Sequence, residues 1–318
     1  MKRAKWVRQA IRAGNDFHFM KKTPWRHNRL NLSMLAILLT GLALIFWAGT
    51  WMTALLYLPL AAVGVGTICF ALFTLVIHEC SHNMFVLHKD RKFSKKLNRW
   101  IGVTIATPMF TDYVRHWEIG HLVHHRKTGE AVDRQYDYTF SGPELRRQVI
   151  RLLLIPGYAM VFNPSRRYPE SRWVRLAAIA VWAVFIAFSL AFLSWKVPVG
   201  VLLGFNVLQA LNLMKKSLEH GGGLNAEPDP SFRTRTYFSP LGAWSAPFNI
   251  NYHFEHHLNH TVPWYDLPAY HSRVAALVPP QLHPLIYSHD YFEYLAGIRP
   301  EYSQTTRDMI TGDAAAMA

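Results

Sequence analysis

The chain has 318 residues, of which 51% are hydrophobic and 17% are charged, and its formal net charge at pH 7 is +14. Its apolar residues are gathered into long uncharged blocks, a pattern typical of an integral membrane protein. The basic residues flank these blocks and form no nucleic-acid-binding motif. The charge therefore indicates contact with anionic lipid headgroups, and we expect no nucleic-acid partner.

Four apolar blocks have the length of transmembrane helices, since about 20 apolar residues are needed to cross a bilayer. A basic stretch, residues 1–30, precedes them. The predicted spans are residues 30–48, 51–77, 174–195 and 197–214. The second span is longer than a bilayer requires, so we expect its helix to continue beyond the membrane. We therefore predict an all-α integral membrane protein in which residues 1–318 form a single domain.

The distribution of Lys and Arg predicts which side of the membrane each segment faces. Residues 1–30 contain nine Lys or Arg and a single acid, Asp16, and the segment after the second span is also basic. The turns near Gly49 and Lys196 carry almost no charge. Because Lys and Arg accumulate on the cytoplasmic side, we predict two helical hairpins with both termini in the cytoplasm. The expected location is the bacterial inner membrane, with a cytoplasmic helical cap formed by residues 78–172 and 218–318.

Two shorter apolar stretches lie between the second and third spans. Residues 97–110 are interrupted by Asn98, Arg99 and Pro108, and we interpret them as an interfacial or re-entrant helix. Residues 145–162 combine three arginines with an apolar run, which predicts a helix lying on the membrane surface.

The sequence contains three histidine motifs. HECSH at 78–82 follows the second span, HLVHH at 121–125 lies in the middle of the chain, and HFEHH at 253–257 follows the fourth span. Histidines three or four residues apart lie on one face of a helix. Eight imidazoles are too many for one zinc ion, which usually takes four ligands, so the economical assignment is two metal ions in a histidine-rich cage. The predicted ligands, which are also the predicted catalytic residues, are His78, His82, His121, His124, His125, His253, His256 and His257.

Carboxylates beside these motifs are candidates for orienting a ligand by accepting a hydrogen bond from its second ring nitrogen. The alternative for each is an ordinary solvated or ion-paired carboxylate. The candidates are Glu79, Glu118 and Glu255. For His116, five residues before the second motif, we expect a surface or interfacial position, and a place behind a ligand is the alternative.

Together with the spans, the motifs resemble the membrane-bound, histidine-box di-iron desaturases and hydroxylases of the fatty acid desaturase superfamily. The resemblance runs from the first span to the PWYDLP stretch at residues 263–268, and it depends on motif order, spacing and placement relative to the spans. It implies two iron ions (Fe²⁺). The EHG sequence at 219–221 is similar to the family element that supplies an additional metal ligand, here His220.

The resemblance also implies an O₂-dependent oxidoreductase that acts on an unactivated C–H bond of a lipid acyl chain. The first motif, HECSH, is similar to the HECGH of acyl-lipid desaturases, so fatty acid desaturation is the expected reaction. Hydroxylation or ketolation of a carotenoid, a sphingolipid or another hydrophobic substrate is the alternative, because the ligands alone do not choose between these outcomes. Trp244, Phe248 and Tyr252 either shape an apolar substrate tunnel or simply pack.

The sequence indicates an external electron donor. Residues 221–223 are not a GxGxxG dinucleotide site, and two cysteines cannot hold a four-cysteine iron–sulfur cluster. The HPGG segment typical of a fused cytochrome b5 is also absent from the sequence. We expect a ferredoxin, rubredoxin or cytochrome b5 type protein, with its reductase, to dock on the basic cytoplasmic face.

Two other classes of protein share part of this pattern. HECSH also matches the HExxH of zinc proteases, with Glu79 as general base, but one zinc site leaves both HxxHH motifs unexplained. A nonenzymatic membrane protein with a storage or structural metal site is the third class. It fits less well, because ionisable residues near membranes are costly and usually functional.

Overall fold

The computed structural model describes residues 4–140, 142–161, 171–221, 224, 227, 230–238 and 241–288. These residues are mostly helical, as the sequence predicts. The helices are α1 (Lys5–Gly14), α2 (Pro24–Trp51), α3 (Ala54–Leu72), α4 (His78–Ser81), α5 (Arg91–Ala106), α6 (Gly120–Lys127), α7 (Gly142–Leu154), α8 (Tyr158–Val161), α9 (Arg172–Phe188), α10 (Lys196–His220), α11 (His253–Leu258), α12 (Leu267–Ala275) and α13 (His283–Ile286). One short parallel pair, β1 (Thr236–Tyr237) with β2 (Tyr287–Ser288), departs from the all-α prediction.

All four predicted spans are helical and have the length and hydropathy of membrane-crossing helices. Their helical stretches are Pro24–Trp51, Ala54–Ser81, Arg172–Leu193 and Lys196–His220. Most of them extend beyond the predicted limits, because the helices continue into flanking polar sequence where hydropathy no longer marks them. The prediction of four helices long and apolar enough to cross a membrane is confirmed.

The second span continues past α3 into the first histidine motif, as predicted, but not as a regular α-helix. A π-helical turn, Phe73–Ile77, separates α3 from α4. The hydroxyl of Thr74 donates to the carbonyls of Phe70 and Ala71, both at 3.1 Å, where the hydrogen-bond pattern changes. A π-helical turn holds one residue more than an α-helical turn and is frequent at functional sites. The direction of His78 therefore does not follow from the 3.6-residue periodicity of the span.

Contacts divide the described chain into two compact units. The first unit is formed by the described residues of Met1–Lys22, Val123–Leu145 and Lys215–Ala318, and the second by those of Thr23–Leu122 and Arg146–Met214. The spans up to residue 214 belong to the second unit, and most of the histidine motif residues belong to the first.

Helices α3 and α10 of the second unit pack closely through glycines. A Cβ atom on Gly66 would lie 2.7 Å from the carbonyl oxygen of Gly204, and one on Gly204 would lie 2.8 Å from Cβ of Val65. Small residues allow such close backbone approach in membranes, where van der Waals packing drives helix association. Gly66 and Gly204 are therefore packing residues of the second unit.

Side-chain amides in the second unit hold the segment that follows the first histidine motif. Asn28 accepts the Leu87 N–H at 2.7 Å and donates to the Leu87 carbonyl at 2.8 Å. Asn31 donates to the Phe85 carbonyl at 2.8 Å, and Asn98 accepts the Phe85 N–H at 3.0 Å. These bonds satisfy backbone groups that no helix or strand pairs, so they anchor the segment to α2 and α5.

Helix α5 begins earlier than the stretch 97–110 suggested. Its N-cap is Asp90, whose carboxylate accepts the N–H groups of Lys92 and Phe93. Asp at an N-cap is a strong helix-start signal, which the apolar pattern alone does not reveal. The helix ends at Ala106, just before Pro108, as expected from the loss of a backbone donor at proline.

In the first unit, the basic N-terminal stretch forms an amphipathic helix. Trp6, Val7 and Ala10 of α1 are buried against residues that include Tyr270, whose hydroxyl donates to the Ala10 carbonyl at 3.0 Å. The charged side chains of α1 lie on its exposed face: Lys5, Arg8 and Arg12.

Candidate metal centre

Four histidine side chains of the first unit converge on one point. One ring nitrogen of each lies within 4.8 Å of the others, and all four are buried. His253 and His257 are one turn apart on α11, and His220 is the last residue of α10. We call His124, His220, His253 and His257 the four-histidine cluster.

The Nε2 atoms of this cluster have the spacing of metal ligands. They lie 3.1 Å apart between His124 and His220, 3.0 Å between His220 and His253, and 3.1 Å between His253 and His257. Four nitrogens at 2.0–2.1 Å from a tetrahedral ion would be separated by about 3.3 Å. The cluster therefore needs only a small adjustment to bind a divalent ion.

The second nitrogen of each cluster ring faces an oxygen atom. Nδ1 of His124 lies 2.8 Å from Asp133 Oδ2, and Nδ1 of His220 lies 3.0 Å from the Arg233 carbonyl oxygen. Nδ1 of His253 lies 3.3 Å from Glu219 Oε1, and Nδ1 of His257 lies 3.4 Å from Thr128 Oγ1. An Nδ1–H facing an oxygen leaves the Nε2 lone pair directed at the metal position, and such partners also orient the ring. The hydrogen bonds to Asp133 and to the Arg233 carbonyl thus hold His124 and His220 in the form that binds metal.

Two buried carboxylates behind the cluster have partners of their own. Asp133 also accepts the N–H groups of Gly129 at 2.9 Å and Gln135 at 3.1 Å. Burial alone raises the pKa of Asp133, but the contacts with His124 and the Gly129 N–H outweigh it and hold that pKa below its usual value. Glu219 accepts a hydrogen bond from the Lys215 ammonium at 2.8 Å. The contacts of Asp133 thus favour the ionised form that accepts hydrogen from imidazole.

The environment of the cluster favours neutral histidines. Burial lowers the pKa of His124, His253 and His257 below the usual value for histidine, because a low-dielectric interior disfavours the charged ring. Neutral imidazole is the metal-binding form and suits iron, zinc, copper or nickel. The donors therefore fit a divalent iron ion.

The other predicted ligands form two further groups. In the second unit, His82 and His121 bring their Nε2 atoms to 3.2 Å from each other, and the His78 ring centroid lies 4.9 Å from each of theirs. In the first unit, His125 and His256 bring their Nε2 atoms to 3.1 Å from each other. Each predicted ligand thus lies beside another within its own unit.

Ring contacts add two neighbours to these groups. Trp117, in a π-helical turn before α6, packs 4.9 Å from the His121 ring and 6.1 Å from the His78 ring. His260, which no ligand spacing in the sequence singled out, lies 5.2 Å from the His125 ring. Both are aromatic neighbours that support ligand rings from the side.

The three candidate acidic residues have different surroundings. Glu79 is buried with Oε1 3.5 Å from His78 Nδ1, which agrees with an orienting role. Glu118 accepts hydrogen bonds from Nε and Nη2 of Arg99, each at 2.7 Å, so it is an ion-paired carboxylate. Glu255 accepts a hydrogen bond from His271 at 2.7 Å, a histidine outside the motifs.

His116 and the aromatic candidates for a tunnel pack against neighbouring rings. The His116 ring lies 5.8 Å from Trp117. Tyr252 packs on His271 at 4.9 Å and Phe248 on Trp264 at 5.0 Å, while Trp244 is exposed. These contacts agree with the packing alternative for Tyr252 and Phe248.

Sequence reasoning missed the oxygens behind the cluster, of which Asp133 is the most informative. Asp133 lies nine residues after His124, in the loop that follows the second motif, and caps a short 3₁₀ helix through the Gln135 N–H. A capping Asp shortly after a histidine motif is the local signal that was available. The acceptor from Arg233 is a backbone carbonyl, for which no side-chain signal exists.

The fold and the site define a membrane protein with four apolar helices of spanning length and a buried histidine cluster that suggests a metal site. A family model described as fatty acid desaturase matches residues 53–289, well over half of the chain. The chain therefore belongs to the fatty acid desaturase family. This confirms the resemblance seen in the motifs, and membership of this family replaces the zinc-protease interpretation of HECSH.

Individual relatives are similar at moderate identity. A sphingolipid delta(4)-desaturase of Drosophila melanogaster is 28% identical over 226 residues, which cover 67% of this chain and 64% of the relative. An sn-1 acyl-lipid omega-3 desaturase (ferredoxin) of Synechocystis sp. is 27% identical over 49% of this chain and 47% of the relative. A sphingolipid delta(4)-desaturase/C4-monooxygenase of Homo sapiens is 30% identical over 61% and 59%. The chain thus spans less than two thirds of the length of each of these relatives.

Proposed function

We propose that this protein is a membrane-bound, O₂-dependent di-iron oxidoreductase that acts on an unactivated C–H bond of a lipid acyl chain, with desaturation as its main reaction. The observation that carries the proposal is the four-histidine cluster, with four converging Nε2 atoms and an oxygen facing each Nδ1. Its place in a chain of the fatty acid desaturase family gives that cluster its chemistry.

The metal ligands proposed are the eight motif histidines and His220. Nine imidazoles exceed the ligands of one ion, so we assign two iron ions (Fe²⁺) to them, and the four-histidine cluster is one of the sites. When bound, the irons supply the reduction of O₂ needed to take hydrogen from an unactivated C–H bond.

The contribution of the chain is to hold the ligands neutral, oriented and away from water. Asp133 fixes the ring of His124 through Nδ1, and Glu219 Oε1 lies 3.3 Å from Nδ1 of His253. Burial excludes competing water from the ligands and strengthens these contacts, since electrostatic interactions are stronger in a low-dielectric interior.

The proposed topology has two hairpins, with both termini and the metal site on the cytoplasmic side of a bacterial inner membrane and a cap formed by 78–172 and 218–318 in one desaturase-like domain. The charge distribution supports this orientation, because the exposed face of α1 carries Lys5, Arg8 and Arg12, whereas the turn after α2 is uncharged. Lys196, beside the other turn, donates to the Met52 carbonyl and so has a partner there.

The electron donor proposed is a separate ferredoxin, rubredoxin or cytochrome b5 type protein with its reductase. The name of the Synechocystis relative specifies ferredoxin, which favours a carrier of this kind. Acidic carriers are steered by basic surfaces, and the exposed face of α1 is one. Replacing Lys5 and Arg12 by Glu is expected to raise the donor concentration needed for half-maximal rate. An unchanged donor dependence would show that α1 serves only lipid headgroups.

The experiment that tests the reaction is untargeted lipid mass spectrometry of cells that express the protein or its His124→Ala variant. We expect lipids lacking two hydrogens only with the unchanged protein. His88→Ala, which alters an exposed histidine outside the motifs, is the matched control and should retain the products. Identical lipids in all three cultures, with the native donor co-expressed, would refute lipid oxidation.

Hydroxylation is the second candidate, favoured by one observation. Relatives from several animals are named sphingolipid delta(4)-desaturase/C4-monooxygenase, so desaturation and oxygen insertion are named together within this family. The same lipid measurement separates the two, because a hydroxylated product gains one oxygen and a desaturated product loses two hydrogens.

A further inference from the structure

The turn between α7 and α8 contacts α10 well inside the length of that helix. Asn206 Oδ1 accepts the Ala159 N–H at 3.0 Å, and Asn206 Nδ2 donates to the Ile155 carbonyl at 2.7 Å. Gly157 has a positive φ of 74°, and a Cβ atom there would lie 3.7 Å from the Leu202 side chain. The turn is thus hydrogen-bonded to Asn206 through its backbone and lies close to the Leu202 side chain at Gly157.

The position of Asn206 along α10 indicates the depth of this turn. Asn206 follows Lys196, the first residue of α10, by ten residues and precedes His220, its last residue, by fourteen. At a rise of 1.5 Å per residue these separations are about 15 Å and about 21 Å. The hydrocarbon core is about 30 Å thick, so a residue this far from both ends of a spanning helix lies in hydrocarbon.

The residues around the turn are apolar, as expected in the membrane interior. Ala159 packs against an apolar cluster of the spans that includes Tyr57, Ala61, Val201 and Phe205. Among residues 153–161 the exposed large side chains are all apolar: Leu153, Leu154, Ile155, Met160 and Val161. An exposed patch of this kind is unusual for a surface in water, and acyl chains are its natural cover.

The end of α5 makes a similar contact with α9. The Trp182 indole N–H donates to the Pro108 carbonyl at 2.9 Å, and Met109 packs against the same apolar cluster of the spans. Trp182 follows Arg172, the first residue of α9, by ten residues. The 3₁₀ turn Thr107–Met109 therefore reaches toward the same depth, and the Pro108 carbonyl is again bonded by a side chain from a span.

The hydrogen bonds between Asn206 and the turn reduce two desolvation costs at once. Backbone N–H and C=O groups at a turn in hydrocarbon must find protein partners, since water is absent. A side-chain amide within a spanning helix likewise needs partners. Asn206 and the turn satisfy each other, which explains why a polar residue stands in α10 and why the turn tolerates its depth.

We propose that residues 155–159 form a re-entrant turn, pinned by Asn206 and covered by lipid acyl chains. This differs from the surface location that the amphipathic sequence of residues 145–162 predicts; residue 162 lies outside the described residues. The proposal depends on α10 being a membrane span and is independent of the proposed reaction.

The depth can be measured on the full-length, iron-loaded protein in phosphatidylcholine vesicles. A polarity-sensitive fluorophore is attached to Leu154→Cys, and its quenching is compared between lipids brominated in mid-chain and lipids spin-labelled at the headgroup. The reference is Arg147→Cys on the exposed face of α7, and the parent chain reports any labelling of the buried Cys69 and Cys80. We expect mid-chain lipids to quench the Leu154→Cys label more strongly and headgroup lipids the Arg147→Cys label. Stronger headgroup quenching at both positions would overturn the re-entrant turn.

The role of Asn206 is tested by adding Asn206→Ala to the Leu154→Cys protein. Loss of both hydrogen bonds is expected to move the label toward the headgroups, so mid-chain quenching falls and headgroup quenching rises. Asn212→Ala, in the same helix but without these contacts, is the matched control and should leave the depth unchanged. An Asn206→Ala protein whose label stays as deep as before would refute pinning by Asn206. If this variant does not fold, the depth measured on Leu154→Cys alone still decides whether the turn is re-entrant.

Discussion

Removing the carboxylate of Asp133 is expected to weaken metal binding at the four-histidine cluster. In the structure, Asp133 Oδ2 lies 2.8 Å from His124 Nδ1, and both side chains are buried. Without that acceptor, Asp133→Ala leaves the ring of His124 free to rotate and its buried Nδ1–H without this partner. Loss of such an outer partner typically reduces metal affinity by about 10- to 100-fold. This range corresponds to about 1.4–2.8 kcal/mol of binding free energy.

The assay is a chelator competition with Zn²⁺ on purified protein, together with iron content after expression. Asp133→Asn keeps an oxygen that can accept from His124, so it should recover most of the affinity lost in Asp133→Ala. Glu118→Ala is the matched control, because this carboxylate also lies close to the second motif in sequence but is paired with Arg99. Equal affinity in the Asp133→Ala and unchanged proteins would refute an orienting role for Asp133, as would an equal loss in Glu118→Ala.

Three further outcomes are expected. His220→Ala should lower the bound iron to about half, because the variant leaves one site with three ligands. His88→Ala should retain both ions. Full iron content in His220→Ala would exclude His220 as a ligand. Gly66→Ala should lower the melting temperature more than Gly64→Ala does. The Cβ atom added at Gly66 meets the Gly204 carbonyl, whereas the one added at Gly64 meets only the end of a flexible side chain. Equal losses in the two variants would contradict close packing of α3 and α10. The metal-free protein should lose stability as the pH falls below about 6.5. Burial lowers the pKa of the cluster histidines on α6 and α11, so the unfolded chain binds more protons than the folded chain in this range. A melting temperature independent of pH down to about 5 would contradict this.

The spans and the motif histidines were predictable because their signals are local. A run of about 20 apolar residues specifies a membrane helix whatever surrounds it. Histidines three or four residues apart share a helix face, as His253 and His257 do on α11. His220 lacked such spacing, and only the family resemblance of its EHG sequence identified it. Its place in the cluster shows why, since its neighbours come from α6 and α11 rather than from its own helix.

Features that depend on how loops fold back onto the helices were not predictable. Asp133 meets His124 across a loop whose shape hydropathy does not encode, and the oxygen facing His220 belongs to the backbone of Arg233. Asn206 gave no sign of its partner, because Ile155 and Ala159 lie about fifty residues earlier in the chain. Periodicity also assumes a uniform helix, so the π-helical turns before the first two motifs remained hidden.

The π-helical turn between α3 and α4 sets the direction in which the first motif points. Such a turn holds one residue more than an α-helical turn, and each residue of an α-helix turns the chain by about 100°. Straightening Phe73–Ile77 into a regular α-helix of the same length would therefore swing His78 away by roughly that angle. Substitutions among the lipid-facing residues of the span change no such angle. Drift in side-chain identity is therefore tolerated there, whereas a substitution that straightens the turn removes a ligand without altering any histidine.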